Sequence, residues 1–334
     1  MFSDIYFRLL LEVMTKDSRI KNIPSLKNQD EKNVGLDSVR HFYKLIISIY
    51  EQCHDSNIGL EFGRQVKPIN ACDFSRLIAT SKNVIEGLNT IEEYYSRLNL
   101  KPFPMLHKDD QHISMALCFP YEDDIEYGHK RFCSETFFSF CLSFLSDLVD
   151  HKIEPVALYL DYPQPSYTKE YIRQFNCELV FDAPLSMIVL ERSIESLSLS
   201  SANESLHEVY LIKAQETWQQ TKRLQKFHYR ALSQMMKHFP EGFNGQYLAQ
   251  TLNISPRGLQ KRLSAEGSSF SSISQVVRRE LIKICLFQRH ITLDETATLL
   301  GFQSQNSFRK FFKLQFGANP QVYLDSQKGI LEVT

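Results

Sequence analysis

The sequence predicts an α+β N-terminal domain followed by an all-α domain in which a linker helix joins two helix-turn-helix units. Strand-like and helical runs mix before about residue 200, whereas residues 243–325 contain only short helical patterns. Charge divides at about the same point. Residues 1–220 hold 22 Lys and Arg against 32 Asp and Glu, and residues 221–325 hold 15 against 6. A basic domain joined to an acidic one suggests that one end meets a polyanion, although a solvated basic surface would have the same composition.

The first 200 residues carry both helical and strand patterns. Apolar residues recur at helical spacing in 39–53 and 84–98, and 132–150 is apolar on nearly every side, which predicts a buried helix. Strand-like runs bounded by prolines occupy 112–119, 154–162 and 181–193. We therefore expect an antiparallel sheet packed against helices.

A serine-rich segment near residue 200 marks the end of this domain. The residues after it contain no Pro or Gly until Pro240, which predicts one or two long connecting helices. The predicted organisation is an α+β domain at 1–200, a helical linker at 201–226, a double helix-turn-helix domain at 227–326 and a tail at 327–334.

The first helix-turn-helix unit lies in GQYLAQTLNISPRGLQKRLSAEG, residues 245–267. Ala249 is small enough to let two helices cross closely, and Asn253 suits the left-handed conformation of a tight turn. Ser255 is a natural N-cap with Pro256 at the first position of the next helix. That helix buries two leucines and exposes side chains able to reach base edges in a major groove: Arg257, Gln260 and Lys261.

The pattern recurs in LDETATLLGFQSQNSFRKFFKLQFG, residues 293–317. Ala297 and Gly301 stand where the first unit has Ala249 and Asn253, and Ser304 is the predicted cap of the second helix. The residues predicted to be buried on that helix are Phe308, Phe312 and Phe316. Those predicted to be exposed are Gln305, Asn306, Arg309, Lys310 and Lys313.

One helix at 272–288 is predicted to join the two units, with Arg278, Arg279 and Lys283 on its exposed side. Helix-turn-helix patterns occur in many all-α domains, and most of those do not bind DNA. Two copies within a region of net charge +9 favour DNA binding over a helical domain that does not bind DNA.

These segments resemble the DNA-binding domain of the AraC/XylS family of bacterial transcription regulators. The resemblance covers about residues 225–325 and rests above all on LLGFQSQNSFRKFFKLQFGANPQVYL, with LNISPRGLQKRLSAEGSSF and VVRREL before it. Thr296 departs from the pattern, because the family has an aliphatic residue there. The stretches NIGLEFGRQV, TIEEYYSRL and Pro155–Tyr167 are similar to the arabinose-binding-type N-terminal domain of one branch of the family.

The resemblance implies a sequence-specific DNA-binding regulator whose two recognition helices enter successive major grooves, roughly 34 Å apart. The first helix would read bases with Arg257, Gln260 and Lys261. The second would use Gln305, Asn306 and Lys310, with Arg309 joining them or gripping phosphate. The predicted phosphate contacts or surface charges are Arg262, Arg278, Arg279 and Lys313.

The N-terminal domain is then expected to sense a small-molecule effector, to dimerise through 84–98 or 204–226, or to do both. Its aromatic residues could line a ligand pocket or form a plain core, and the core is favoured. Activation is expected because it is the commoner family role, with double-stranded DNA, RNA polymerase and a second copy of the chain as partners. The family name does not imply that this chain binds a sugar.

Two other functions have to be compared with DNA-binding regulation: an enzyme fused to a DNA-binding module, and an adaptor that binds a partner protein through the two helical units. The seven cysteines form no C-x-x-C or Cys/His pair, and the sequence has no phosphate-binding glycine loop or nucleophile elbow. The spacings of His107, His112, His129 and His151 match no metal-ligand motif. We expect no enzyme activity, no cofactor and no metal, and neither a membrane span nor a secretory signal, hence a cytoplasmic protein.

Overall fold

The computed structural model describes residues 56–65, 73–98, 102–120, 127–222, 225–287 and 291–331. The helix predicted at 39–53 lies outside these ranges. The helices before residue 200 are α1 (Ile58–Gln65), α2 (Asp73–Ala79), α3 (Val84–Leu98), α4 (Tyr127–Leu148) and α5 (Thr168–Phe175). The strands are β1 (Phe103–Lys108), β2 (His112–Cys118), β3 (Ala157–Tyr159), β4 (Glu178–Val180) and β5 (Ser186–Glu191).

The five strands form one mixed sheet in the order β1-β2-β5-β3-β4. The prediction of a purely antiparallel sheet is wrong at one edge, because β3 and β4 pair in parallel. The chain between them contains α5, and a crossover of this kind is what parallel neighbours require. The strands predicted at 112–119, 154–162 and 181–193 are confirmed as β2, β3 and β5, the last two in shortened form.

The two faces of the sheet belong to two different cores. Because side chains alternate along a strand, Leu158 points to one side and Ala157 and Tyr159 to the other. Leu158 joins the cluster that contains the aromatic residues of α4. Tyr159, which is fully buried, joins a cluster that continues into the C-terminal helices. The sheet therefore lies between α4 and the C-terminal region.

The buried helix predicted at 132–150 is confirmed as α4. A Cβ atom at Gly63 of α1 would collide with the carbonyl oxygen of Thr136, so glycine is needed for α1 to lie against α4. The carboxylate of Glu135 is fully buried on α4 and accepts hydrogen bonds from the hydroxyls of Tyr167 and Tyr171, both at 2.5 Å. Aromatic side chains and a hydrogen-bonded carboxylate thus pack together inside this domain.

The apolar side of α3 is part of the same core. Leu88 and Ile91 are buried, so this side of the helix is not available to a second copy of the chain. Of the two segments that the sequence offers for dimerisation, 204–226 is the one that keeps large apolar side chains exposed: Leu206, Val209, Leu211 and Ile212.

In the described part of the C-terminal region, all regular secondary structure is helical. Its helices are α6 (Glu204–Lys222), α7 (Phe227–Lys237), α8 (Gly245–Thr251), α9 (Pro256–Ala265), α10 (Phe270–Phe287), α11 (Leu293–Leu299), α12 (Gln305–Phe316) and α13 (Pro320–Leu331). The connecting segment is thus two helices, α6 and α7. The predicted joining helix at 272–288 is confirmed as α10.

Candidate nucleic-acid interface

The first helix pair, α8 and α9, is set by caps and by one left-handed residue. Asn253 has a φ of 56°, as the turn was predicted to require. The N–H of Ile254 donates to the carbonyl oxygen of Ala249 at 3.0 Å, which closes the turn. The Ser255 hydroxyl then accepts from the N–H of Gly258 at 3.1 Å, with Pro256 at the first helical position.

The second pair, α11 and α12, repeats this construction with one more residue in the turn. Gly301 has a φ of 69°, and the N–H of Phe302 donates to the carbonyl oxygen of Ala297 at 3.0 Å. Ser304 caps α12 by accepting from the N–H of Ser307 at 3.2 Å. The two caps confirm both predicted helix starts, and the matched bonds make the pairs structural repeats.

The residues predicted to face the DNA lie mainly on open surface. On α9 the exposed residues are Arg257, Gln260 and Lys261, and on α12 they are Asn306, Arg309 and Lys310, whereas Gln305 is half-buried. The opposite sides of these helices are anchored by Leu259 and Leu263, and by Phe308 and Phe312. Phe316 is only partly buried. Each helix therefore turns a face of cationic and amide side chains to solvent.

Arg278 of α10 is not on an exposed side, contrary to the prediction. Its Nε donates to the carbonyl oxygen of Leu300 at 2.8 Å, at the turn of the second unit. Its guanidinium lies over the rings of Phe243 and Phe302, at 4.8 Å from each centroid. The carbonyl groups at the end of α11 are thereby tied to α10, so Arg278 positions the second unit.

Arg279 and Lys283 are also half-buried rather than exposed. Both bind the Glu280 carboxylate, with N–O distances of 3.3 Å and 3.2 Å. Glu280 is only 2 % exposed and accepts from the N–H of Phe119, next to β2, at 3.3 Å. This buried cluster joins α10 to the N-terminal sheet, as does the edge-to-face contact of Tyr159 with Phe287 at 5.0 Å.

Sequence reasoning missed Glu280 as a link between the two halves of the chain. One signal was available: an acidic residue lies among the apolar positions of α10, between Val277 and Ile284, with a cation on each side. A carboxylate in such a place must be paired when it is buried. Its partner Phe119, next to β2, could not be read from the sequence.

The remaining predicted phosphate contacts, Arg262 and Lys313, are exposed. The guanidinium of Arg262 lies 5.5 Å from the ring centroid of Phe227 at the start of α7. Both cations stay free to meet a phosphate, whereas Arg278 and Arg279 are committed to contacts within the protein.

The described cysteines lack the setting of a catalytic thiol. They form no disulfides with one another, and burial raises the pKa of Cys177 and Cys285 to about 12. A reactive thiol needs a lowered pKa. Across the residues that the structure describes, no three His, Cys, Asp or Glu side chains come close enough to hold a metal ion. Within the same ranges, no helix has the length and apolar character needed to cross a membrane.

Two family models match this chain. The model of the arabinose-binding N-terminal domain of AraC transcription regulators matches residues 31–199, and a helix-turn-helix domain model matches residues 248–326. The first of these models describes a domain of transcription regulators and not of enzymes.

Known proteins also resemble the chain. The ornithine utilization regulator of Pseudomonas aeruginosa is 22% identical over 288 residues, which cover 85% of this chain and 83% of that protein. The HTH-type transcriptional regulator VirS of Mycobacterium tuberculosis is 31% identical over 80 residues, 24% of each chain. The crystal structure of the transcriptional regulator CdpR from Pseudomonas aeruginosa covers 97% of this chain and 99% of its own, at 16% identity and a TM-score of 0.49.

Proposed function

The chain belongs to the AraC family of DNA-binding transcription regulators, and from this premise we propose that α9 and α12 are its two recognition helices. Arg257, Gln260 and Lys261 read one major groove. The second groove is read by Gln305, Asn306, Arg309 and Lys310. Arginine and lysine suit the acceptors of guanine, and the amides suit adenine.

The observation that supports this proposal best is the repeated geometry of the two pairs. In each, a left-handed residue precedes a serine-capped helix whose solvent side carries cations and amides. The positive end of the helix dipole at each helix start favours a phosphate there, while side chains of the first two turns reach base edges. Two such units on one frame favour a bipartite operator.

The N-terminal domain controls the DNA-binding region through direct contact, in this proposal. Glu280 of α10 accepts from the Phe119 N–H, and the hydroxyls of Ser96 on α3 and Ser233 on α7 lie 2.8 Å apart in a buried contact. A change at the sheet or at α3 would therefore act on α7 and α10, the helices that carry the two units.

The partners proposed beyond DNA are a small-molecule effector, RNA polymerase and a second copy of the chain, with activation as the outcome and the cytoplasm as the location. The exposed apolar side chains Leu206, Val209 and Ile212 on α6 support a dimer contact there, because large apolar side chains grouped on one helix favour association. We propose the domain boundaries 1–200 for the effector-sensing and dimerisation domain, 201–226 for the helical linker, 227–326 for the DNA-binding domain and 327–334 for the tail.

Selection of bound duplexes from a randomised pool by the full-length protein tests the proposal. Two conserved elements about one helical turn apart, roughly 10–10.5 base pairs, are expected. Affinity should fall steeply with salt, as it does when cations displace counterions from phosphates. A single undivided element, or no enrichment at all, would contradict the proposal.

A further inference from the structure

A polar cleft of about 190 Å³ lies where the N-terminal domain, helix α6 and the first helix-turn-helix unit meet. The N-terminal domain contributes Ser96 and Arg97 from α3, and α6 contributes Trp218. The other wall is α7 and the turn before α9. We call this space the junction cleft, and its lining from that wall includes Arg230, Lys237 and Asn253.

The junction cleft is strongly cationic. Arg97, Arg230 and Lys237 carry three positive charges into its lining. The one carboxylate within ion-pair distance of any of them, among the described residues, is Glu93, which binds Arg97 and also lies 3.6 Å from Lys237. Within ion-pair distance, one negative charge therefore faces three positive ones. Glu92 and Glu266 act on Lys237 and Arg230 only from further away, and burial raises the pKa of Glu92. The remaining excess of positive charge favours a dianion.

Arg230 is the member of this set whose charge is least compensated. No carboxylate among the described residues lies within ion-pair distance of its guanidinium, and Glu266 influences it only from further away. Burial and the nearby positive charge of Arg262 both lower the pKa of Arg230. A half-buried cation next to another cation favours the arrival of an anion.

The spacing of the cations favours a ligand with two separated anionic groups. Arg230 and Lys237 are two turns apart on the same side of α7, about 10 Å along the helix axis. Arg97 approaches from the opposite wall, with its guanidinium 4.9 Å from the ring centroid of Trp218. We propose that the junction cleft binds a short-chain dicarboxylate, and that this ligand is the effector of the regulator.

Binding in the junction cleft would act on the DNA-binding region at short range. Asn253, in the lining, is the left-handed residue of the turn that aims α9. The cleft also adjoins the buried contact of Ser96 with Ser233, which holds α3 against α7. A dicarboxylate that ties Arg97 to Arg230 therefore fixes the first unit relative to the N-terminal domain. The regulatory part of this inference rests on the proposed function, whereas the binding part does not.

Trp218 is the only tryptophan of the chain, so its fluorescence reports on the cleft. The full-length protein is titrated at pH 7 and constant ionic strength with succinate, glutarate and adipate. Succinamide serves as the neutral analogue of succinate, and butane-1,4-diamine as a dication of similar length. At least one dicarboxylate is expected to change the fluorescence to saturation, and neither control should do so.

Two variants and a matched control locate the binding. Arg230→Gln and Lys237→Gln should each weaken dicarboxylate affinity about tenfold to a hundredfold, the effect of losing one charged hydrogen bond. Lys237 is partly exposed, so its replacement should leave the fold intact. Lys226→Gln removes an exposed cation at the start of α7 that does not line the cleft, and should leave affinity unchanged.

Three results would overturn the inference: no saturable response to any dicarboxylate, an equal response to succinamide, or undiminished binding by both variants. A fourth is that duplex DNA alone changes the fluorescence and Arg230→Gln weakens DNA binding only, which would make the cleft a phosphate contact. DNA binding is measured separately on the selected operator, both with and without dicarboxylate. Failure there, with dicarboxylate binding intact, would reject the proposed function and not the cleft.

Discussion

At the scale of single residues, cations that look alike in the sequence have different tasks. Lys261 and Lys310 are exposed to solvent. The Arg278 guanidinium instead donates hydrogen bonds to backbone carbonyl oxygens and lies over two aromatic rings. A guanidinium suits that task because it is planar and can donate and stack at once. The contacts that each cationic side chain makes within the protein therefore decide whether it is available to bind DNA.

Replacement of Lys261 or Lys310 by alanine should weaken operator binding by about 1–3 kcal/mol each and relax specificity at the bases concerned. Both are exposed on their helices, so the fold should not change. Mobility shifts at controlled salt give the affinities. Lys169→Ala, which removes an exposed lysine of α5, is the control. Undiminished affinity in both variants would reject these two assignments.

Arg278→Ala should lower the free energy of unfolding by about 1.5–3 kcal/mol, because a hydrogen bond from a charged group is lost in a half-buried site. Urea unfolding of the full-length protein measures it. The exposed Lys313→Ala should change stability by less than about 0.5 kcal/mol. If Arg278 instead contacts phosphate, its removal would leave stability unchanged and reduce the salt dependence of DNA binding.

At the scale of elements, helix caps and turns could be predicted from the sequence, but contacts between residues far apart in the chain could not. Ser255, Ser304 and Asn253 could be assigned in advance, because a cap or a left-handed turn depends on residues a few positions away. Glu280 could not be assigned, since its partner beside β2 is distant in sequence. The parallel pairing of β4 was missed for the same reason, and a strand of one exposed and two half-buried residues gives little periodicity.

The end of α9 holds the start of α7 through Glu266. Its carboxylate accepts from the N–H groups of Phe227 and His228, at 2.7 Å and 2.8 Å, and contacts the His228 ring. Burial opposes ionisation, but these hydrogen bonds outweigh it and hold the pKa of Glu266 below its usual 4.5. A lowered carboxyl pKa contributes stability above the unfolded-state pKa, and this contribution disappears as pH falls through the folded-state value.

The stability difference between the protein and its Glu266→Gln variant should therefore be largest above about pH 5, shrink as the pH falls below the usual carboxyl pKa, and vanish once the pH is below the lowered folded-state pKa. Urea unfolding midpoints across the acid range provide the measurement. Glu241→Gln, at an exposed position, should show no such pattern. A difference that grows as the pH falls would show that the sign is wrong.

At the scale of the whole molecule, net charge divides the chain into an acidic and a basic half, but both halves pack against the same sheet. Tyr159 and its neighbours on one face of the sheet belong to the same cluster as the helices of the DNA-binding region. The sequence predicted each half by its own periodicity. Their joining could not be predicted, because strands apolar on both faces need a second layer without specifying which one.

A shared core predicts that the two halves unfold together. Thermal unfolding followed by far-UV circular dichroism and by Trp218 fluorescence should give one coincident transition. Phe287→Ala removes the edge-to-face contact with Tyr159 and should separate the two signals, whereas Leu314→Ala, at a side chain that is 79% exposed, should not. Two well-separated transitions in the unchanged protein would contradict the shared core.

We propose that the two recognition helices, held on one frame by α10, read successive major grooves. The direct test is the affinity of the full-length protein for its selected operator with about 5 or about 10 base pairs inserted between the two elements. Helix α10 contacts the first unit where Phe270 lies beside Gly245, and the second unit where Arg278 binds the Leu300 carbonyl oxygen. Because it holds both units, both insertions should reduce binding to the level of a single element. Affinity unchanged by either insertion would contradict the account.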